Sequence, residues 1–214
     1  MNVALFGGTF DPIHAGHVRA ARAAARRFHL DHVLFVPCGT PPHKTHDRLT
    51  AFPHRFAMVA LACALDRRFI PSLLEAPGRG KRPQYSIDTA RAVRRRLGPD
   101  DKLYFLIGAD AFLDLPHWKD YRQLLGIVDF IVVSRPGFSS RAIGRIAPPD
   151  AASRRTPAGA VGRPRTSVHI LDGVHVPVAS RDIREAVRRG RRLTGLVPPR
   201  VEEYILKEGL YRPR

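Results

Sequence analysis

The chain has 214 residues, of which 44% are hydrophobic, and this predicts one α/β domain of ordinary size spanning residues 1–214. It contains no run of about 18 consecutive apolar residues, and a glycine-rich turn interrupts its start before a signal-peptide core is complete, so we expect a cytoplasmic protein without a membrane span. Cys38 and Cys63 are too few for a disulfide framework and form no Cys-x-x-Cys pair, which predicts idle thiols.

The charge balance is strongly basic. Lys and Arg number 36 against 19 Asp and Glu, a net charge of +17, and such a field attracts polyanions, nucleotides as well as nucleic acids. Charge alone does not choose between these partners. The arginine runs at 94–96 and 188–192 are expected on helix surfaces, where solvated charge is the simplest interpretation.

Strand-like and helix-like stretches alternate along the chain. Runs with strand composition occur at 3–6, 33–36, about 69–74, 103–107, 127–133 and 168–171. Stretches with helix composition occur at 15–28, 56–65, 86–97, about 180–189 and 198–209. A short turn-rich helical segment carries Trp118, and Ser86 is the expected N-cap of the third helix, with Asp88 in its first turn.

One long stretch lacks this periodicity. Residues 138–166 are rich in Pro, Gly, Ser, Ala and Arg, which predicts a flexible basic loop within the single domain. Elsewhere the alternation predicts right-handed β-α-β crossovers and a mainly parallel sheet covered on both faces. Such sheets bind ligands at the carboxyl ends of their strands, so we expect the chemistry in the loops after residues 6, 36 and 107.

The first of these loops, GGTFDPIHAGH at 7–17, has the composition of a phosphate site. Gly7 and Gly8 let the main chain approach a ligand closely, and the helix that follows presents its positive end to the same point. The loop has neither the lysine of a P-loop nor a G-x-G-x-x-G pattern. His14 and His17 are three residues apart, share one helix face and can both donate to phosphate oxygens, with Gly16 leaving space between them.

Further motifs follow in order along the chain: PPHK at 41–44, YSIDT at 85–89, LIGADAFLDLPHW at 106–118, SRPG at 134–137 and VPPRVEEYILKEGLY at 197–211. With the glycine-rich loop, this set resembles the HxGH nucleotidyltransferases, and more narrowly the bacterial nicotinate-nucleotide adenylyltransferases. The resemblance covers nearly the whole chain except 138–166. It implies a single-domain, Rossmann-like, doubly wound parallel sheet.

The resemblance also implies a reaction. ATP and nicotinate mononucleotide would give nicotinate adenine dinucleotide and pyrophosphate, with Mg²⁺ held through the ATP phosphates and no metal ligands from the protein. If the mononucleotide phosphate attacks the α-phosphorus of ATP in line, the protein supplies alignment and charge stabilisation but no covalent nucleophile. The absence of a catalytic Ser or Cys constellation agrees with this chemistry.

The matching positions supply the expected site residues. The resemblance gives catalytic roles to His14, His17, Lys44 and Arg184. It places against ATP the residues Gly7, Gly8, Thr9, Phe10, His14, His17, Gly108, Asp110, Ser180 and Arg184. It places against nicotinate mononucleotide the residues Thr9, His43, Lys44, Ser86, Trp118 and Arg135.

Each of these residues also has a simpler interpretation. Lys44 would be a solvated loop lysine, and Trp118 would pack in the core instead of stacking on the pyridine ring. Asp110 and Ser86 would only cap their helices. A zinc site built from Cys38, His43 and His46 matches no standard ligand spacing and is set aside.

The late segment VASRDIR at 178–184 departs from the family pattern, which carries hydroxyl residues and an arginine that hold ATP phosphates at a helix N-terminus. Ala179 replaces the first hydroxyl residue, and Arg181 stands where a threonine is usual. At least one hydroxyl contact is therefore missing, and Arg181 offers charge in its place. Ser180 and Arg184 keep the remaining chemistry.

Other activities are weighed against this hypothesis. Phosphopantetheine adenylyltransferases and cytidylyltransferases fit the combination of later motifs poorly. Preference for the acid over the amide mononucleotide is not visible in side chains, and only the resemblance favours the acid. A basic nucleic-acid-binding module would explain the charge, but no aromatic residues interleave with the arginines, so no nucleic acid partner is expected. A homo-oligomer is left open.

Overall fold

The computed structural model describes residues 1–39, 49–78, 84–134, 146, 167–174 and 177–213. His43, Lys44 and Arg135 lie outside the described residues, as does the loop predicted at 138–166 apart from residue 146. Within the described ranges, no helix is both long enough and apolar enough to cross a membrane.

Six strands of the described chain form one sheet. They are β1 (Asn2–Gly8), β2 (His32–Pro37), β3 (Phe69–Pro71), β4 (Lys102–Gly108), β5 (Asp129–Val133) and β6 (Val168–Leu171). Every pair is parallel and the spatial order is β3-β2-β1-β4-β5-β6, so the predicted doubly wound parallel sheet is confirmed.

The helices between and after these strands cover both faces of the sheet. They are α1 (Ala15–Arg27), α2 (Phe52–Cys63), α3 (Ser86–Arg94), α4 (Ala109–Leu113), α5 (Tyr121–Leu125), α6 (Ser180–Arg188) and α7 (Pro199–Lys207). A short 3₁₀ helix, Leu115–His117, lies between α4 and α5.

Several predicted boundaries are corrected. Helix α2 begins at Phe52, four residues before the predicted start at Phe56, because Pro53 in its first turn suits the backbone of a helix start. Strand β3 ends at Pro71 and helix α3 ends at Arg94, both earlier than expected. Ser86 is not the N-cap of α3.

The N-cap of α3 is Tyr85, whose backbone is extended at φ −116° and ψ 140°. The carbonyl of Tyr85 accepts hydrogen bonds from the backbone N–H groups of Asp88 and Thr89, at 2.9 and 3.2 Å, and this closes the first turn. Ser86 is the first helical residue, and no side chain caps the helix.

Two apolar clusters sandwich the sheet, because successive residues of a strand point to opposite faces. In β1, Ala4 and Phe6 face the cluster formed with α1, α2, α6 and α7. Val3 and Leu5 face the other cluster, formed with α3, α4 and α5. Burial on both faces explains why the strands are continuous apolar runs rather than alternating ones.

The strand order reverses between β1 and β4, which are neighbours at the centre of the sheet. From β1 the chain continues outward to β2 and β3, and from β4 it continues the other way to β5 and β6. The connections on the two sides leave a crevice above the carboxyl ends of the central strands, where ligands bind in folds of this type.

Candidate active site

A cavity of about 530 Å³ opens at this crevice. Gly7, Gly8 and Thr9 line it from the end of β1, Cys38 from the end of β2, and Gly108 from the end of β4. All three loops selected from the sequence therefore meet here. The volume is within the range of small-molecule sites, roughly 300–1,000 Å³.

Phe10 anchors the glycine-rich loop in the core. Its backbone is left-handed at φ 48°, and its buried ring makes an edge contact with Phe6 at a centroid distance of 5.7 Å. A Cβ atom at Gly8 would lie 3.0 Å from this ring, so the close packing favours glycine there. The ring of Phe10 is buried, and the predicted contact of this residue with ATP stays a prediction.

The two histidines of the motif form one unit at the start of α1. His14 is the N-cap, with an extended backbone, and its N–H donates to Nδ1 of His17 at 3.2 Å. The two rings stack with centroids 3.6 Å apart. Because Nδ1 of His17 accepts this bond, the proton of the neutral ring is on Nε2, which is thereby a donor.

The surroundings of His17 favour the neutral ring. It packs edge-on against Phe10 at 5.0 Å and against Phe6 at 5.9 Å. Burial lowers the pKa of His17 well below its ordinary value, and His14 beside it lowers the pKa further. At neutral pH His17 is therefore an uncharged donor at the positive end of a helix.

Asp11 connects this loop to the end of the chain. Asp11 is buried, with a relative solvent exposure of 4%. Its Oδ1 accepts a hydrogen bond from the hydroxyl of Tyr211 at 2.7 Å. Oδ2 accepts from the N–H of Thr50 at 3.3 Å. Burial, and secondarily the charge of Asp11, raises the pKa of Tyr211. Asp11 lies in the first motif of the chain and Tyr211 in the last, but the sequence analysis assigned neither residue a role.

Ser180 and Arg184 contact the main chain of the loop, and their predicted contacts with ATP phosphates stay predictions. The hydroxyl of Ser180 donates to the carbonyl of Pro12 at 2.9 Å, and Nη1 of Arg184 donates to that of Asp11 at 2.6 Å. In this structure both residues therefore hold the loop main chain. Arg181 has its side chain 86% exposed and lies 3.7 Å from the carboxylate of Asp182.

Arg55 of α2 is a site residue that the sequence analysis missed. It is 1% exposed, and its guanidinium donates to the carbonyls of Thr9 and Cys38 at 2.8 Å, Thr50 at 2.9 Å and Gly39 at 3.2 Å. It thus joins the loops after β1 and β2 to the segment before α2. The available signal was a single arginine within an otherwise apolar helix face.

The opposite wall of the cavity is aromatic. Trp118 is partly buried, lines the cavity and makes an edge contact with Phe105 at 6.0 Å. Its indole N–H donates to Oδ2 of Asp114 at 3.3 Å, which orients the ring. Trp118 therefore packs against Phe105 on one side and borders the cavity on the other, and its stacking on the pyridine ring stays a prediction.

Ser86 lines the same wall, whereas Asp110 does not. Asp110 is exposed in the first turn of α4, between Gly108 and Ala111, which do line the cavity. Glu75 is a lining residue that the sequence analysis did not single out. It is buried, accepts a 2.8 Å hydrogen bond from Thr89, and has its pKa raised by burial.

No group of three or more His, Cys, Asp or Glu side chains in the described part of the chain could hold a metal ion. The described site offers main-chain N–H groups, imidazoles and a helix N-terminus. These groups bind anions. The arrangement is that of a nucleotide site at the switch point of a parallel sheet.

Comparison with known proteins agrees with this class. The cytidylyltransferase-like family matches residues 5–186, so the fold and the site define a cytidylyltransferase-like nucleotidyltransferase. A Solibacter usitatus protein named "Probable nicotinate-nucleotide adenylyltransferase" is 41% identical over 99% of this chain and 100% of its own length. A Moorella thermoacetica protein of the same name is 40% identical over 99% of this chain and 92% of its own length. Within the class, the chain belongs to the nicotinate-nucleotide adenylyltransferase family.

Solved structures show the same fold. The nicotinic acid mononucleotide adenylyltransferase of Plasmodium falciparum, in complex with NaAD, has a TM-score of 0.73 and 18% identity, over 98% of this chain and 97% of that chain. The same enzyme in complex with APC has a TM-score of 0.71. The single-domain fold expected from the sequence is confirmed.

Proposed function

We propose that this protein joins ATP and nicotinate mononucleotide to form nicotinate adenine dinucleotide and pyrophosphate, a step of NAD biosynthesis. The observation that carries the proposal is that one loop bears the stacked pair His14 and His17 and also borders the cavity that Trp118 closes on its other side. The full-length likeness to nicotinate-nucleotide adenylyltransferases supports the choice of substrates.

In the proposed reaction a phosphate oxygen of nicotinate mononucleotide attacks the α-phosphorus of ATP. The bond from that phosphorus to the oxygen bridging to the β-phosphate breaks, and pyrophosphate leaves with the electron pair. No covalent enzyme intermediate is needed, so the protein acts by aligning the two nucleotides and stabilising charge.

We assign His17 to donate from Nε2 to a phosphate oxygen as negative charge moves toward the leaving pyrophosphate. Its Nδ1 is held by the main chain of His14, so the donor is oriented before the substrate arrives. His14 lies beside it, and the N-terminus of α1 adds its positive dipole end at the same point. Ser180 and Arg184 act on this unit by donating to main-chain carbonyls of the loop, and the carboxylate of Asp11 ties the loop to Tyr211.

Mg²⁺ is proposed to enter with ATP. The buried carboxylate of Asp11 is already bonded to Tyr211 and Thr50, so the triphosphate and water are the natural oxygen ligands. When bound, the ion neutralises charge on the phosphate oxygens. Lys44 and His43 are assigned to the phosphates and Arg135 to the nicotinate nucleotide on the family resemblance alone. The cytoplasmic location expected from the sequence stays a prediction.

The test is pyrophosphate release with ATP and Mg²⁺, comparing nicotinate mononucleotide, nicotinamide mononucleotide and phosphopantetheine under identical conditions. We expect strong preference for nicotinate mononucleotide, with the dinucleotide identified by mass. Activity with the amide alone would keep the mechanism and change the substrate. If none of the three compounds gives pyrophosphate release, the proposal is overturned.

A further inference from the structure

Tyr211 follows α7 and has a strained backbone. Its φ is 66°, in the left-handed region that a bulky residue rarely adopts and keeps only where the surrounding structure holds it. Its hydroxyl donates to Oδ1 of Asp11, in the loop after β1, at 2.7 Å. Phe10, next to Asp11, is left-handed as well, at φ 48°. The hydrogen bond therefore joins two turns with left-handed residues, one after α7 and one in the loop of the histidine pair.

Asp11 is held from three separate segments of the chain. Besides Tyr211, the backbone N–H of Thr50, just before α2, donates to Oδ2 at 3.3 Å. Nη1 of Arg184, in α6, donates to the main-chain carbonyl of Asp11 at 2.6 Å. The carboxylate is buried, and the two donors described for it, a hydroxyl and a backbone N–H, are both uncharged. Hydrogen bonds to a charged acceptor are stronger than those between neutral groups, so the Tyr211 hydroxyl fixes this carboxylate firmly.

His14 lies between two anchored positions of the same loop. Asp11 is on one side of it, and Ala15 is on the other, with its backbone N–H donating to the carbonyl of Leu196 at 2.8 Å. The N–H of His14 in turn donates to Nδ1 of His17 at 3.2 Å and so orients that ring. A rotation of the main chain at Asp11 would therefore change the direction of the His14 N–H and, with it, the direction of the His17 ring.

We infer that Tyr211 is a positioning residue for the proposed transfer: through Asp11 it holds the histidine pair in the orientation in which Nε2 of His17 donates to the phosphates. The inference rests on the proposed function, because it assigns Tyr211 a part in that reaction. The described lining of the cavity does not include Tyr211, so its effect passes through the loop. Displacing an oriented donor weakens the stabilisation of the transition state more than it weakens the binding of the substrates.

Removing the hydroxyl separates this role from a contribution to stability alone. For Tyr211→Phe, assayed as pyrophosphate release well below its melting temperature, we expect kcat to fall about tenfold, since small misplacements of a catalytic group have effects of this size or larger. KM for ATP and for nicotinate mononucleotide should stay within about twofold of wild type, because the lost contact acts on the transition state.

Tyr204 provides the matched control. It lies in α7, is half-buried like Tyr211, and its hydroxyl shares a hydrogen bond with Nδ1 of His54 at 2.9 Å. His54 belongs to α2 and not to the loop of the histidine pair. Tyr204→Phe therefore removes the same atom from the same part of the chain without changing a contact of Asp11. We expect its kcat to stay within about twofold of wild type.

A spectroscopic readout tests the orientation of His17 directly. NMR of the imidazole nitrogens, with the His17 signals assigned from His17→Gln, shows which ring nitrogen carries the proton. In wild type we expect the neutral ring with its proton on Nε2. In Tyr211→Phe the His17 signals should shift toward the mixture of tautomers of an unconstrained ring, whereas in Tyr204→Phe they should match wild type.

A wild-type kcat in Tyr211→Phe, equal losses of kcat in the two tyrosine variants, or unchanged His17 signals in Tyr211→Phe would each overturn the inference and leave the proposed function standing. A wild-type protein that releases no pyrophosphate with any of the three compounds would end the proposed function, and the inference with it.

Discussion

The hydroxyl of Tyr211 donates to the carboxylate of Asp11 at 2.7 Å, joining residues 200 positions apart in the chain. Asp11 lies in the loop that carries the histidine pair, and Tyr211 follows the last helix. The backbone N–H of Ala15, the first residue of α1, likewise donates to the carbonyl of Leu196 at 2.8 Å. The C-terminal segment therefore fixes the loop at which we place the chemistry.

Removing the Tyr211 hydroxyl should destabilise the protein. In Tyr211→Phe the buried carboxylate of Asp11 loses one donor, and we expect a cost of about 1–3 kcal/mol in the free energy of unfolding. Urea denaturation measures it. Tyr121→Phe is the control, because the hydroxyl of Tyr121 only accepts an exposed bond from Arg122. Equal stability of the two variants would contradict the importance of the Tyr211 contact.

Arg55 should resist conservative replacement. Lysine keeps the charge but not the planar fork that reaches four carbonyls, so Arg55→Lys leaves buried acceptors unpaired. We expect a loss of about 2–4 kcal/mol in unfolding free energy and a lower kcat in the fraction that stays folded. Arg68→Lys, at a partly exposed pair with Asp66, is the comparison. Similar losses for both would contradict the proposed positioning role of Arg55.

His17→Ala should abolish most turnover and leave the fold intact. Loss of one oriented donor to developing charge typically costs ~10²–10³ in rate. The measurement is kcat for pyrophosphate release, with circular dichroism to verify folding. His29→Asn is the control, because His29 is exposed beyond the other end of α1 and asparagine tolerates its left-handed backbone at φ 49°. Wild-type turnover in His17→Ala would remove the core of the assignment.

The lowered pKa of His17 makes a prediction about stability and pH. Between the folded pKa and the ordinary value of 6.5, the unfolded chain binds more protons at this residue than the folded chain does. The contribution of the neutral His17 ring to the free energy of unfolding is therefore fully present above pH 6.5, and it declines as the pH falls toward the pKa of His17 in the folded protein. Unfolding free energies of wild type and His17→Gln, measured from about pH 8 to 5, should show a difference that shifts against wild type on acidification. A constant difference would refute the prediction.

The sequence by itself determined the architecture and the three loops that meet at the cavity. Alternating strand and helix patterns predicted a parallel sheet, and the sheet has six parallel strands in the described chain. The spacing of His14 and His17 predicted a shared helix face, and their rings stack. These inferences succeed because hydrophobic period, glycine-rich turns and i, i+3 spacing are local properties that a sequence displays.

Only the tertiary structure decided which residues hold the site in place. Arg55, Asp11 and Tyr211 act through contacts between segments far apart in the chain, and no local pattern marks such partners. The ring of Phe10 is likewise placed by the tertiary structure, because the left-handed turn of the loop directs it into the core. The cation–π contact between Lys119, which follows Trp118, and Tyr85, which precedes α3, likewise exists only because the fold brings these two segments together.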